Sequence, residues 1–357
     1  MTAAIIYGAA FAIAAIVAAA ATPFVIRLAT HLEIIDATHE ERRVHDMPTP
    51  RIGGISVFLG FAFALFAVLG FALSSPYALY PSLQHLHSHL QVAALVDRSD
   101  AVRRLVGLLF GGMLILGVGL WDDVMQMRPR NKFIAQVIVA LISMLYGFLI
   151  PGINNPFDHD PSTNWIDFPI WLSVPLTLLW YVGMMNAINF IDGLDGLLSG
   201  FTLISSLFLF AISIVHGSPV VALVVITLAG ASLGFLPFNF NPAKIFLGDA
   251  GSLFIGYVFA TVSVIGASKT AIAISIVVPL VVLAVPVLDT VAAIVRRARA
   301  GRSITEADRG HFHHQLIFRF GLNVRQAVLL IYALCFVLGF VALALSGEFT
   351  HVFRHTM

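Results

Sequence analysis

Apolar and polar positions along this chain fall into long alternating blocks. Ten apolar stretches stand out, at roughly 3–30, 52–75, 102–121, 133–151, 168–190, 197–216, 219–238, 251–268, 270–294 and 326–346. A bilayer's hydrocarbon core needs about 20 apolar residues per helix. Each block therefore predicts one membrane-spanning helix, and the whole predicts an all-α polytopic protein folded as a single domain over residues 1–357. The short turns HGSP (after Val215) and ASKT (267–270) predict tight helical hairpins. Residues 76–100 leave room for a surface helix, and 153–168 read as a polar connector.

Composition excludes a soluble domain. The chain is 59% hydrophobic and 11% charged, with mean hydropathy +0.93, against about 45–50% apolar and about 25% charged in soluble domains. The net charge of +1 gives no reason to expect a nucleic-acid partner. Cys335 is the single cysteine and lies in an apolar run, where it reads as a small core residue. No Lys or Arg precedes Arg27, so the first block lacks the charged start of a cleavable signal.

The distribution of charge is more informative than its sum. With the amino terminus outside, fifteen of the 20 Lys and Arg fall on inward segments. Positive charge marks the cytoplasmic side, so both termini are expected outside and five polar loops inside. Those loops are RRVHDMPTPRIGG (42–54), WDDVMQMRPRNKF (121–133), NAINFIDGLDG (186–196), NPAKIFLGDAGS (241–252) and EADRGHFHHQL (306–316). The outward loops hold no comparable set of ionisable residues.

Four of the inward loops suggest chemistry that a simpler role could also explain. Asp122 and Asp123 are adjacent, and on a helix they diverge by about 100°. One can face a cleft while the other anchors a basic neighbour; the alternative is a solvated acidic helix end. Lys132 either snorkels or reaches an anionic ligand. Asn186, Asn189, Asp192 and Asp195 recur every three residues, which on a helix brings them to nearly one face. Their oxygens suit Mg²⁺, or Mn²⁺ in its place, rather than zinc. Capping of the next helix would explain Asp195 alone. Asp249 sits among small residues before an apolar block, where amides favour phosphate; a carboxylate there argues for a bridging metal, or else for a cap. Phe246 is either core or a stacking platform. His311, His313 and His314, beside Arg309, suit work on a diphosphate better than a closed zinc site.

These loops, in this order, resemble the polyprenyl-phosphate N-acetylhexosamine-1-phosphate transferase family over about Asp36 to Leu316. DDV…K, NAINFIDGLDG, FNFNPAKIFLGDAGS and DRGHFHHQL carry the likeness. The histidine segment is similar to the N-acetylglucosamine branch; the muramoyl-pentapeptide branch, which makes lipid I, looks like HHHxE there. The resemblance implies an inner-membrane enzyme with a cytoplasmic site. It would move a sugar 1-phosphate from a UDP-sugar to polyprenyl phosphate, releasing UMP, with Mg²⁺, as the first membrane step of a cell-envelope polysaccharide such as O-antigen. It further implies Asn189 and Asp249 as metal ligands, Asp195 on uracil and Phe246 stacked upon it. Lys132 would lie near the diphosphate, Asp122 or Asp123 would act as base or nucleophile, and Arg309, His311, His313 and His314 would engage the sugar phosphate. Asn186 and Asp192 are expected to support the site. Membrane lipid is an expected neighbour, and a homodimer is compatible with this reading. The rival from another class is a secondary transporter of an anionic solute, which would place polar residues near the bilayer midplane; Asp289 is the chief residue of that kind.

Overall fold

Helices occupy every apolar block that can be seen in the computed structural model, which describes residues 3–36, 49–74, 98–154, 165–267, 283–299 and 312–346. The chain begins with α1 (Ala3–His31), and a short antiparallel pair, β1 (Ile35–Asp36) and β2 (Thr49–Pro50), leads into α2 (Gly54–Ser74). Then come α3 (Arg98–Met125) and α4 (Pro129–Leu145), followed by a second antiparallel pair, β3 (Gly152–Asn154) and β4 (Trp165–Asp167). The remaining helices are α5 (Ile170–Ile191), α6 (Leu197–Val215), α7 (Pro219–Asn239), α8 (Gly248–Ala267), α9 (Ala284–Arg299), α10 (Phe312–Phe318) and α11 (Val324–Leu345).

Among the described residues, 8 helices are long and apolar enough to cross a membrane: α1, α2, α3, α5, α6, α7, α8 and α11. The block at 133–151 departs from expectation. Its helix starts at Pro129, runs 17 residues and stops at Leu145, because Gly147 turns the backbone into the left-handed region (φ 91°) before Pro151. Most of the block at 270–294 lies outside the described residues, as does 75–97, where a surface helix was anticipated. The connector near 153–168 is bounded by β3 and β4, paired Gly152 to Asp167. The hairpin between α6 and α7 is as tight as expected, with Gly217 at φ 63° and Pro219 opening α7.

Without water to drive helices together, small residues decide which helices approach closely. Ala10, Ala14 and Ala18 are fully buried along one face of α1. A Cβ added at Gly230 of α7 would meet the Phe11 carbonyl oxygen at 2.2 Å, and one at Gly234 would meet that of Ala15 at 2.1 Å. At Gly60 of α2 it would meet the Ala14 oxygen at 2.6 Å. This seam makes α7 a central helix, packed on α1, α2 and α6. The other central helix is α8, lying against α2, α3 and α5. In both, 83% of the span is buried, against 28% for α1 and 33% for α11. Hydrogen bonds fix the rotation of α8: Ser143 Oγ donates to Tyr257 Oη at 3.1 Å, and Tyr181 Oη donates to Thr261 Oγ1 at 3.0 Å. The first turn of α8 is thus carried on the most enclosed part of the bundle.

Candidate active site

The site forms where the ends of α3, α5 and α7 meet the starts of α2, α4 and α8. The spacing of three through NAINFIDGLDG does not stay helical to its end. α5 stops at Ile191, Asp192 is its C-terminal cap residue, and Asp195 lies in the following turn. Gly196 opens α6 at φ 77°, and a Cβ there would stand 2.9 Å from the Phe240 ring. Only Asn186 and Asn189 therefore share a helical face; the helix ends at Ile191, before either aspartate, and Gly193 and Gly196 lie in the turn that follows.

Four of the expected residues meet directly. Lys132 Nζ lies 2.6 Å from Asp249 Oδ2 and 2.8 Å from Asp122 Oδ2. Asn189 Nδ2 donates to Asp249 Oδ1 at 2.6 Å and to Ser252 Oγ at 2.7 Å. Asp122 Oδ1 accepts from the Met127 amide at 2.6 Å, which closes the turn between α3 and α4. Charge-assisted contacts of this length are the strong kind, and Lys132 and Asp122 side chains are only 16% and 12% exposed.

Asp123 points elsewhere. Its Oδ1 accepts from the Asp249 amide at 2.8 Å and its Oδ2 from the Ala250 amide at 3.0 Å. Arg51 approaches the same carboxylate at 3.9 Å. The segment around Arg51 is stitched to the loop before α8. The Gly53 amide donates to the Phe246 carbonyl at 2.9 Å and the Gly54 amide to that of Leu247 at 2.8 Å, while the Phe246 amide donates to Pro50 at 2.8 Å. Close approach demands glycine: at Gly248 (φ 71°) a Cβ would lie 1.9 Å from the Arg51 oxygen and 2.5 Å from Asp123 Oδ2. Sequence reasoning grouped Arg51, Gly53 and Gly54 with the inward loops but gave them no role. Their adjacent glycines were the available signal.

Asp195 is 2% exposed. Its Oδ2 accepts from Asn241 Nδ2 and from the Ala243 amide, both at 3.0 Å, so it secures the loop that carries half-buried Phe246. It does not cap α6. Asn186 donates to Gln136 Oε1 at 2.8 Å; Gln136 is 1% exposed and was not singled out from sequence. Arg309 and His311 lie outside the described residues. His313 and His314 belong to α10, and their side chains also lie outside them.

Burial of the Asp192 carboxyl, reinforced by the nearby charges of Asp249 and Asp123 and partly offset by Arg51, pushes its pKa up to about 8. The cluster of Asp122, Asp123 and Asp249 faces the two cations Lys132 and Arg51, a balance that favours a further cation. Two unit charges 4 Å apart interact by about 4 kcal/mol at an effective dielectric of 20. Among the described residues, no three carboxylate, histidine or cysteine groups close on one point. That suits Mg²⁺, which is commonly held by one or two carboxylates with water and substrate phosphate completing its shell. The Lys132 ammonium stands between Asp122 and Asp249 as a cation would, and every donor is a hard oxygen, so the residues fit such an ion.

Eight helices long and apolar enough to cross a membrane, with an acidic site gathered at one end of the bundle, define a multi-pass membrane protein. Residues 105–267 match glycosyl transferase family 4. The chain is 34% identical over 326 residues to the probable undecaprenyl-phosphate N-acetylglucosaminyl 1-phosphate transferase of Bacillus subtilis, covering 91% of this chain and 81% of that one. It is 36% identical over 338 residues to the decaprenyl-phosphate N-acetylglucosaminephosphotransferase of Mycobacterium tuberculosis, covering 89% and 77%. A phospho-N-acetylmuramoyl-pentapeptide-transferase of Staphylococcus aureus matches at 30% over 264 residues, 71% of this chain and 79% of that one. The chain belongs to glycosyl transferase family 4.

Proposed function

We propose that this protein transfers N-acetylglucosamine 1-phosphate from UDP-N-acetylglucosamine to a polyprenyl phosphate, releasing UMP. The observation that carries the reading is the Asp122–Lys132–Asp249–Asn189 cluster, a hard-oxygen site with a built-in cation, in a family whose relatives bear those names. Lipid I synthesis is less well supported, because the matches that bear that name cover less of this chain.

Donor and acceptor are both anions, so their approach is opposed until the site neutralises them. Asp249 and Asn189 would hold Mg²⁺, with Mn²⁺ able to replace it; when bound, it would screen the diphosphate and stabilise charge on the leaving UMP. Lys132, released from Asp249, contributes a second positive charge toward the diphosphate. A lipid-phosphate oxygen attacks the β-phosphorus, the bond from that phosphorus to the bridging oxygen breaks, and the electron pair leaves with UMP. The acceptor is already ionised near pH 7, so one carboxylate of the pair, Asp122 or Asp123, aligns it or takes a residual proton. Phe246 and the loop secured by Asp195 are assigned to the uridine, and Arg309, His311, His313 and His314 to the sugar phosphate. The site faces the cytoplasm, with both termini outside, in an inner membrane whose lipid surrounds the bundle and holds the prenyl tail. The product feeds a cell-envelope polysaccharide.

Purified protein with Mg²⁺, polyprenyl phosphate and a panel of UDP-sugars tests this directly. UMP and a lipid-linked sugar with UDP-N-acetylglucosamine are the expected products. No UMP with any donor would overturn the reading in favour of transport.

A further inference from the structure

The aspartate pair divides into two different jobs. We propose that Asp123 is a positioning residue: its carboxylate caps α8 from a neighbouring helix and sets where Asp249 stands. Asp122 is then the member that faces the reactants, an assignment that rests on the transfer reaction proposed above.

Four observations converge. Both Asp123 oxygens accept amide hydrogens from the first turn of α8, at 2.8 and 3.0 Å. Such an acceptor satisfies donors that a helix start leaves orphaned, a task more often done by the residue just before the helix. Leu247 occupies that place here, and its apolar side chain has no acceptor to offer. Second, the Asp123 side chain is 0% exposed, whereas that of Asp122 is 12% exposed and contacts Lys132. A general base or nucleophile must come within about 3 Å of a reacting atom, which Asp123 could reach only by releasing the first turn of α8. Third, the packing leaves no slack on either side. A Cβ at Gly119 of α3 would stand 2.4 Å from the Asp249 oxygen, and one at Gly248 would stand 2.5 Å from Asp123 Oδ2. Fourth, Arg51 lies 3.9 Å from the Asp123 carboxylate, and its segment is clasped to Phe246 and Leu247, so the strut is braced from α2 as well.

The test uses the full chain in detergent. Hydrogen–deuterium exchange without metal or donor should show the Asp249 and Ala250 amides protected in wild type. That exchange should be at least tenfold faster in Asp123→Asn and unchanged in Asp122→Asn. With UDP present, the Mn²⁺ concentration at half-saturation, read by electron paramagnetic resonance, should rise about tenfold in Asp123→Asn. Turnover at saturating Mn²⁺ should follow capping ability, with Asn and Ser at position 123 above Ala. A reacting carboxylate would instead make all three equally inactive. Wild-type exchange and Mn²⁺ binding in Asp123→Asn, with turnover lost, would overturn the proposal. Should that variant fail to fold, rapid exchange of the two amides in wild type would overturn it alone. If wild type releases no UMP, the reaction is wrong, while the exchange data still decide the role of Asp123.

Discussion

Gly54→Ala places one methyl group where the backbone of α8 already lies. The added Cβ would stand 2.2 Å from the Gly251 nitrogen, 2.4 Å from its Cα and 2.7 Å from the Ala250 carbonyl carbon. All three are backbone atoms, so no side chain can turn aside. Ordinary contact begins at 3.4 Å, so relief requires the start of α2 and the first turn of α8 to part by roughly 1 Å, a misplacement that can cost about 10²-fold in rate. That shift would stretch the Gly54-to-Leu247 hydrogen bond of 2.8 Å and move Asp249 relative to Lys132. In a UMP-release assay, kcat/KM should fall about 100-fold, equivalent to about 2.7 kcal/mol of transition-state stabilisation. Gly117→Ala on α3 is the control, since a Cβ there meets nothing within 4 Å; it should retain wild-type turnover. Both variants should elute as folded protein. Turnover by Gly54→Ala within twofold of wild type would refute the claim that this contact sets the geometry of the site.

Asp249→Asn and Asn189→Ala should each abolish transfer while the protein remains folded, as checked by UMP release and size exclusion; normal turnover in either removes the metal assignment. Lys132→Met removes the cation bridging Asp122 and Asp249 at 2.8 and 2.6 Å, and kcat should drop by about 10²–10³. Asp192 titrates near 8 when folded, above its ordinary 3.8, so it favours the folded state most strongly below the unfolded value. That contribution is lost as pH rises toward 8. Melting temperatures measured without divalent cations should therefore depend less on pH in Asp192→Asn than in wild type between pH 4 and 8.

The helices were legible because a bilayer leaves the backbone few other choices. Blocks such as 197–216 and 219–238 became α6 and α7 almost to the residue. Where reading by hydropathy failed, backbone geometry was the cause. Gly147 ends α4 inside an apolar block, and α5 ends at Ile191, ahead of Asp192 and Asp195, so the spacing of three does not keep four polar residues in phase. Of the site, Asp122, Lys132, Asn189 and Asp249 were singled out from sequence and meet within hydrogen-bonding distance. Gln136 escaped notice because a lone glutamine in an apolar run carries no spacing signal. The parts given to Arg51, Gly53 and Gly54 depend on a partner segment almost two hundred residues away.

Sequence by itself determined the kind of solvent this chain needs, where its helices run and which loops hold ionisable groups, since hydropathy and glycine placement are local properties. Tertiary structure decided which groups face one another. Asp122 and Asp123 are indistinguishable as neighbours in a sequence, yet the roughly 100° between them on a helix sends one to Lys132 and the other to the amides of α8. A carboxylate's role depends on the donors around it, and here those donors come from distant parts of the chain.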